Sequence, residues 1–238
     1  MGLLFMSCSS RKQIQYFSDI DTQARETVAP VTPVVQVNDL LSITISSSTP
    51  ELAAAYNIVN PDKAELGYLV AADGTITLPV LGTHKVAGLT FAELDQFLRS
   101  KLITGGHLAD PVVIVRRLNA KFTVLGEVTK PGTYSFTEQN ITLLQALGYA
   151  GDLTIYGKRS DILIIREENG LRTYTTVDLT SRATLTSNSL IIKPNDVIYV
   201  NPNDTRVKSA GYIGGFTTLM TTISVALSTV VTILVLSK

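Results

Sequence analysis

Up to about residue 201, apolar and polar positions alternate in short runs separated by Gly, Pro, Asn and Asp. Beyond that point the alternation gives way to one long uncharged stretch. Val37-Asn38-Asp39-Leu40-Leu41-Ser42-Ile43-Thr44-Ile45 reads as a turn feeding a strand of period two. Residues 50–56 read as a short helix or loop. Residues 68–72 and 75–80 flank Asp73-Gly74 and predict a hairpin, because both residues tolerate the positive φ of a two-residue turn. Gly82 and Gly88 bound a third short strand. Thr90-Phe91-Ala92-Glu93 fits a capping box, in which hydroxyl and carboxylate cover free amides at a helix start. Phe91, Leu94, Phe97, Leu98 and Leu102 give that helix an apolar face, and Gly105-Gly106 ends it. Asp110-Pro111 precedes residues 112–115, expected as a buried strand.

The pattern restarts after Leu118. Residues 121–128 predict a strand, and Lys130-Pro131-Gly132 a turn. Asn140 is a candidate cap for a helix through Leu143, Leu144, Ala146 and Leu147, closed by Ala150-Gly151-Asp152-Leu153. Residues 162–165 and 174–177 predict strands around Glu168-Asn169-Gly170. Residues 195–200 form the last one, and Asn195-Asp196 echoes Asn38-Asp39 over too few residues to count as a repeat. The mixture is α+β, with β-rich domains at 34–118 and 119–201.

From Ser209 to Ser237 there is no charged residue, and Lys208 and Lys238 bracket the run. As a helix, residues 213–236 would be roughly 36 Å long at about 1.5 Å per residue, against a bilayer core of about 30 Å. They are therefore expected to form a transmembrane helix, reached through a linker at 202–212. On a helical wheel Thr217, Thr218, Thr221, Thr222, Ser224, Ser228, Thr229 and Thr232 fall within roughly 160°. Two readings stay open. In one the helix is an anchor whose hydroxyls bond back to its own carbonyls. In the other Thr217, Thr221, Ser224, Ser228 and Thr232 line a pore, which requires a ring of subunits.

Composition narrows the function. Lys plus Arg and Asp plus Glu number 20 each among 238 residues, so charge gives no case for binding nucleic acid. The single cysteine, Cys8, excludes a disulfide within the chain. Residues 1–8, an apolar run ending Met-Ser-Cys, look like the tail of a bacterial lipoprotein signal, with Cys8 as the lipidated residue; an incidental cysteine is the alternative. Residues 9–33, with Ala29-Pro30-Val31-Thr32-Pro33 extended by its prolines, read as a linker.

No arrangement points to catalysis. His84 and His107 have no acid or nucleophile at a readable spacing, and each reads as a surface residue. There is no phosphate-cradling Gly-rich loop, no Cys/His metal spacing and no cofactor motif. Asp73 and Asp152 read as turn residues and Glu127 as structural.

Several strings nevertheless match a known family. Asp39-x-Leu41-x-Ile43, the run Asp73-Gly74-Thr75-Ile76-Thr77-Leu78-Pro79-Val80-Leu81-Gly82, then Val86-Ala87-Gly88-Leu89-Thr90-x-x-Glu93-Leu94 and Asp110-Pro111-Val112-Val113-Ile114-Val115 closely resemble the polysaccharide biosynthesis/export domain. That domain occurs in outer-membrane polysaccharide export proteins of the Wza type. Gly126-Glu127-Val128, Pro131-Gly132-x-Tyr134, Ala150-Gly151-Asp152 and Lys193-Pro194-x-Asp196-Val197-Ile198-Tyr199-Val200 resemble an SLBB domain, a β-grasp module. Larger members of the family carry two such modules, and this chain shows one.

The resemblance implies a homo-oligomeric ring of lipoproteins that exports capsular or exopolysaccharide. Cys8 would be lipidated in the outer membrane, the two domains would stand in the periplasm, and the terminal helix would lead to the cell surface. An inner-membrane polysaccharide co-polymerase would be the periplasmic partner. The alternative is an anchored glycan-binding or scaffold module without a pore of its own.

Overall fold

The computed structural model describes residues 14–20, 23, 25, 31–57, 67–168, 170–186 and 190–236, and for 208–219 the backbone alone. The first half runs β1 (Leu40–Ser46), α1 (Pro50–Ala54), β2 (Tyr68–Leu69), β3 (Thr75–Leu78), β4 (Gly82–Lys85), α2 (Phe91–Thr104) and β5 (Val112–Arg117). β1 is the centre of an antiparallel sheet ordered β2-β1-β5. Its alternation sends Leu41, Ile43 and Ile45 inward, where they meet Leu94, Leu98 and Leu102 of α2.

The capping box of α2 forms as expected. Thr90 Oγ1 accepts from Glu93 N, and Glu93 accepts from Thr90 N. The helix ends in a Schellman motif: Gly106 stands at φ +69°, its N–H bonds Ile103 O, and His107 N bonds Leu102 O.

Two expectations for this half are corrected. Asp73-Gly74 does make a turn, with Thr75 N and Oγ1 donating to Asp73 Oδ1. However, β2 pairs with β1, while β3 forms its hairpin with β4. Val70 still exchanges bonds with Asn38 and Asp39, and Ala71 N donates to Thr75 O across the turn, so the turn joins two sheets. Residues 112–115 are not a buried strand either. β5 is a sheet edge, and only Val113 of its first three residues is buried, with Val112 and Ile114 each 47% exposed.

The second half runs β6 (Lys121–Gly126), β7 (Gly132–Ser135), β8 (Ile141–Thr142), α3 (Leu143–Tyr149), β9 (Gly157–Glu168), β10 (Leu171–Val177), a 3-10 turn (Arg182–Thr186), β11 (Ile191–Ile192) and β12 (Val197–Pro202). The sheet order is β10-β9-β12-β6-β7, with β12 parallel to β6 and the other pairs antiparallel. Phe122, Leu143, Leu147, Ile162 and Ile198 fill its core. Gly126 lies so close to β12 that a Cβ there would stand 2.1 Å from Val200 O, which accounts for glycine in the Gly126-Glu127-Val128 string. The cap of α3 is Thr142, which forms a capping box with Gln145, and not Asn140. Asn140 Nδ2 donates to Val31 O instead.

Residues 16–19, expected as linker, are tied to the second half. Phe17 N and Ser18 N donate to Leu179 O and Thr180 O, each at 2.9 Å. The Tyr16 hydroxyl donates to Asp152 Oδ1, and Asp19 accepts from Ser181 Oγ and Arg182 N. Burial and the bond to Asp152 push the Tyr16 phenol well above its ordinary range.

α4 (Asp204–Leu236) is a single 33-residue helix that already includes most of the expected linker. Among the described residues no helix is long and apolar enough to cross a membrane, so the expected transmembrane helix at 213–236 is corrected. The part of α4 with described side chains, 220–236, is roughly 26 Å long at about 1.5 Å per residue, against a core of about 30 Å. Thr221, Thr222, Ser224, Ser228, Thr229 and Thr232 interrupt it.

Candidate functional site

Three places combine exposure with unusual chemistry. The first is α4, whose described side chains are exposed on every face, from Met220 and Ile223 to Val235 and Leu236. Of the residues expected to line a pore, Thr221, Ser224, Ser228 and Thr232 are exposed on this helix. The side chain of Thr217, like Cys8, lies outside the described residues. Ser228 Oγ donates to Val225 O, Thr229 Oγ1 to Val225 O and Ala226 O, and Thr232 Oγ1 to Ser228 O. Each of these hydroxyls spends its proton on its own helix and offers oxygen lone pairs outward.

The second place is the base of α4. Asn203 Oδ1 caps the helix by accepting from Arg206 N at 3.0 Å. Asn203 N donates to Tyr156 O at 2.7 Å and its side-chain amide to Ile155 O at 3.1 Å. Arg206 Nε reaches Glu127 Oε1 at 3.1 Å, and its guanidinium stands over the Tyr156 ring, 5.3 Å from the centroid. Glu127 also accepts from Thr154 Oγ1. The structural reading of Glu127 is thereby given a concrete role, one that needs residues 79 positions apart in sequence.

The third is a cleft of about 410 Å³ between the two halves. Val115, Arg116, Arg117, Leu118 and Ala120 form one wall, Thr137, Glu138 and Gln139 the other, and Phe91 lies between them. β5 and the chain leaving it bring the arginines here, and the turn after β7 brings the opposite wall. Arg117 is 9% exposed and pairs with Asp39 at 2.8 Å; it also donates to Val34 O, and its Nε is buried without a partner among the described residues. Its guanidinium lies 5.1 Å from the Phe91 ring centroid. Burial pushes the Asp39 carboxyl above its ordinary range, against the opposing pull of the Gln36 N–H and Arg117. Sequence reasoning missed this cleft, because its polar residues Arg116, Thr137, Glu138 and Gln139 fall outside every motif string.

The histidines pack. His84 sits edge-on to Phe97 and bonds Leu81 O, and His107 sits edge-on to Tyr56. Asp73 and Asp152 are turn residues, Asp152 with φ +67°.

Comparison with known proteins identifies the frame that holds these places. Residues 28–117 match the polysaccharide biosynthesis/export protein family, and residues 120–200 match the SLBB domain. The chain thus carries a polysaccharide biosynthesis/export domain followed by an SLBB domain. The seam between its export domain and its SLBB domain falls at residues 117–120, within the wall of the cleft. Two curated relatives are each named EPS I polysaccharide export outer membrane protein EpsA. That of Ralstonia solanacearum is 29% identical over 195 residues, covering 74% of this chain and 50% of the relative. That of Ralstonia nicotianae is 32% identical over 155 residues, covering 58% of this chain and 40% of the relative. The chain thus spans about half the length of the curated relatives it matches, or less. Their names are those of export proteins and not of enzymes.

Proposed function

We propose that this chain is a subunit of an outer-membrane assembly that exports capsular or exopolysaccharide. The export domain followed directly by the SLBB domain supports this reading, and so do the names of the relatives. The observation that carries the assembly is α4. Its apolar and hydroxyl faces are both uncovered, and an apolar surface of that extent calls for a partner. Copies of the chain in a ring would cover the apolar side of each α4 and turn Thr217, Thr221, Ser224, Ser228 and Thr232 toward a common passage. Hydroxyl oxygens there would exchange hydrogen bonds with water and sugar without the grip of fixed charge. Lipidation at Cys8 would tether the assembly to outer-membrane lipid, and an inner-membrane polysaccharide co-polymerase would deliver the glycan. No bilayer crossing by α4 enters this reading.

A second reading treats the chain as a glycan-binding or scaffold module without a pore. The back-bonded hydroxyls of Ser228, Thr229 and Thr232 favour it, since they are already satisfied within the helix. Deleting the chain from its host tests the first reading. Secreted glycan should fall to background while glycan accumulates in the periplasm. Unchanged secretion would contradict it.

A further inference from the structure

We propose that the cleft between the two halves is a saccharide subsite, taking one or two sugar units of the exported glycan through their hydroxyls. This rests on the export reading and gives it a location away from α4. The size is suitable: about 410 Å³ falls within the roughly 300–1,000 Å³ of small-molecule sites.

The lining is suitable in kind. A sugar hydroxyl both donates and accepts, so it is best met by walls that offer both. Arg116 and Gln139 line the cleft from opposite walls, and neither side chain has a hydrogen-bond or charge partner among the described residues. Glu138 and the Thr137 hydroxyl supply acceptors beside Gln139. Val115, Leu118, Ala120 and Phe91 supply the apolar surface that the C–H faces of a pyranose need.

Charge argues against an anion as the occupant. Asp39 already neutralises Arg117, and Glu138 stands across from Arg116. A phosphate or a clustered polyanion would find no net positive charge to hold it. The buried Arg117 Nε, without a partner among the described residues, marks that wall as incompletely satisfied. An acceptor oxygen delivered into the cleft could relieve it after a small movement of the guanidinium. Because Val115 to Arg117 belong to the export domain and Thr137 to Gln139 to the SLBB domain, a bound sugar would also bridge the two and stiffen their joint.

The test uses the full chain in detergent and isothermal titration with tetrasaccharides of glucose, of galactose and of alternating glucuronate and N-acetylglucosamine. At least one should bind with a Kd of about 1 mM or tighter. Arg116→Ala and Gln139→Ala should each weaken that binding about three- to tenfold, the scale of one lost hydrogen bond. Arg172→Ala, on the exposed edge strand β10, should leave it unchanged. Raising salt should change the affinity less than twofold, because the cleft is charge-balanced. No binding by any of the three probes overturns the subsite. Binding that survives both substitutions, or that only the uronate probe shows and salt abolishes, also overturns it. These results leave the export reading standing if deletion of the chain still stops secretion. The export reading fails separately if secretion persists without the chain.

Discussion

The most informative residue-level feature is a device used twice. Gln36-Val37-Asn38-Asp39 and Lys193-Pro194-Asn195-Asp196 each close a four-residue turn, Asp39 N to Gln36 O at 3.1 Å and Asp196 N to Lys193 O at 3.2 Å. Each places its Asn at φ +68°, a region that Asn enters more readily than most side chains. Each returns the Asp carboxylate to the backbone N–H three residues earlier, at 2.8 Å, and pairs it with an arginine from a neighbouring strand, Arg117 or Arg166. Asp196 is 1% exposed and Arg166 grips it with two bonds, which raises the guanidinium pKa further. Asp196→Ala would strand a half-buried arginine, so it should cost about 3 kcal/mol in urea unfolding. Adding Arg166→Met should restore much of that loss. The Asn-Asp echo was visible in the sequence; its role was not, since the arginines lie 78 and 30 residues away.

Glu93 gives a pH prediction at the same scale. Hydrogen bonds from Thr90, the backbone one first, hold its carboxyl below the ordinary range. A depressed carboxylate stabilises the fold above its unfolded pKa, and that contribution is lost as pH falls through the folded value. Gln also completes a capping box, as Gln145 does at α3. Glu93→Gln should therefore unfold slightly earlier than the parent at pH 7 and coincide with it near pH 3. Asp39 works in the opposite sense. Burial raises its pKa, so its own contribution declines as pH rises through the folded value.

At the scale of elements, helix starts with local chemistry were legible, as the Thr90–Glu93 box shows. Strand partners were not. Nothing in residues 68–80 says that β2 joins β1 while β3 joins β4, because a turn fixes the direction of the chain and leaves open which ladder it enters. Residues 112–115 read as buried because four consecutive β-branched residues look alike at an edge and at a centre. The uncharged run at 213–236 identified a helix, but one that does not meet the requirement for a membrane span.

α4 departs from the body through Asn203, Tyr156, Glu127 and Arg206, and this clamp should set its direction. The Arg206–Glu127 pair is partly exposed, with Arg206 54% and Glu127 19% exposed, so Arg206→Ala should change global stability by at most about 1 kcal/mol. The same change should speed amide exchange in the first turn of α4, which hydrogen-exchange mass spectrometry would detect. Further along, cysteines replacing Thr221, Ser224 or Ser228 should react with a water-soluble thiol reagent in the assembled protein. Cysteines replacing Ile223 or Val230 should be protected there. Equal protection of both sets would remove the hydroxyl-lined passage.

On the scale of the whole molecule, residues 16–19 and the residues that open α4 converge on one stretch of the second half. Tyr16 bonds Asp152 and lies beneath Arg159, while Asn203 bonds Ile155 and Tyr156. Residues 16–19 and the start of α4 are therefore both fastened to the second half.

In the proposed function, glycan passes through a ring of these chains. Electron microscopy of the detergent-extracted full chain tests it most directly. Closed rings with a central opening are expected, the α4 helices gathered at the end nearest the second half. Monodisperse single chains, with no ring at any protein concentration, would contradict it.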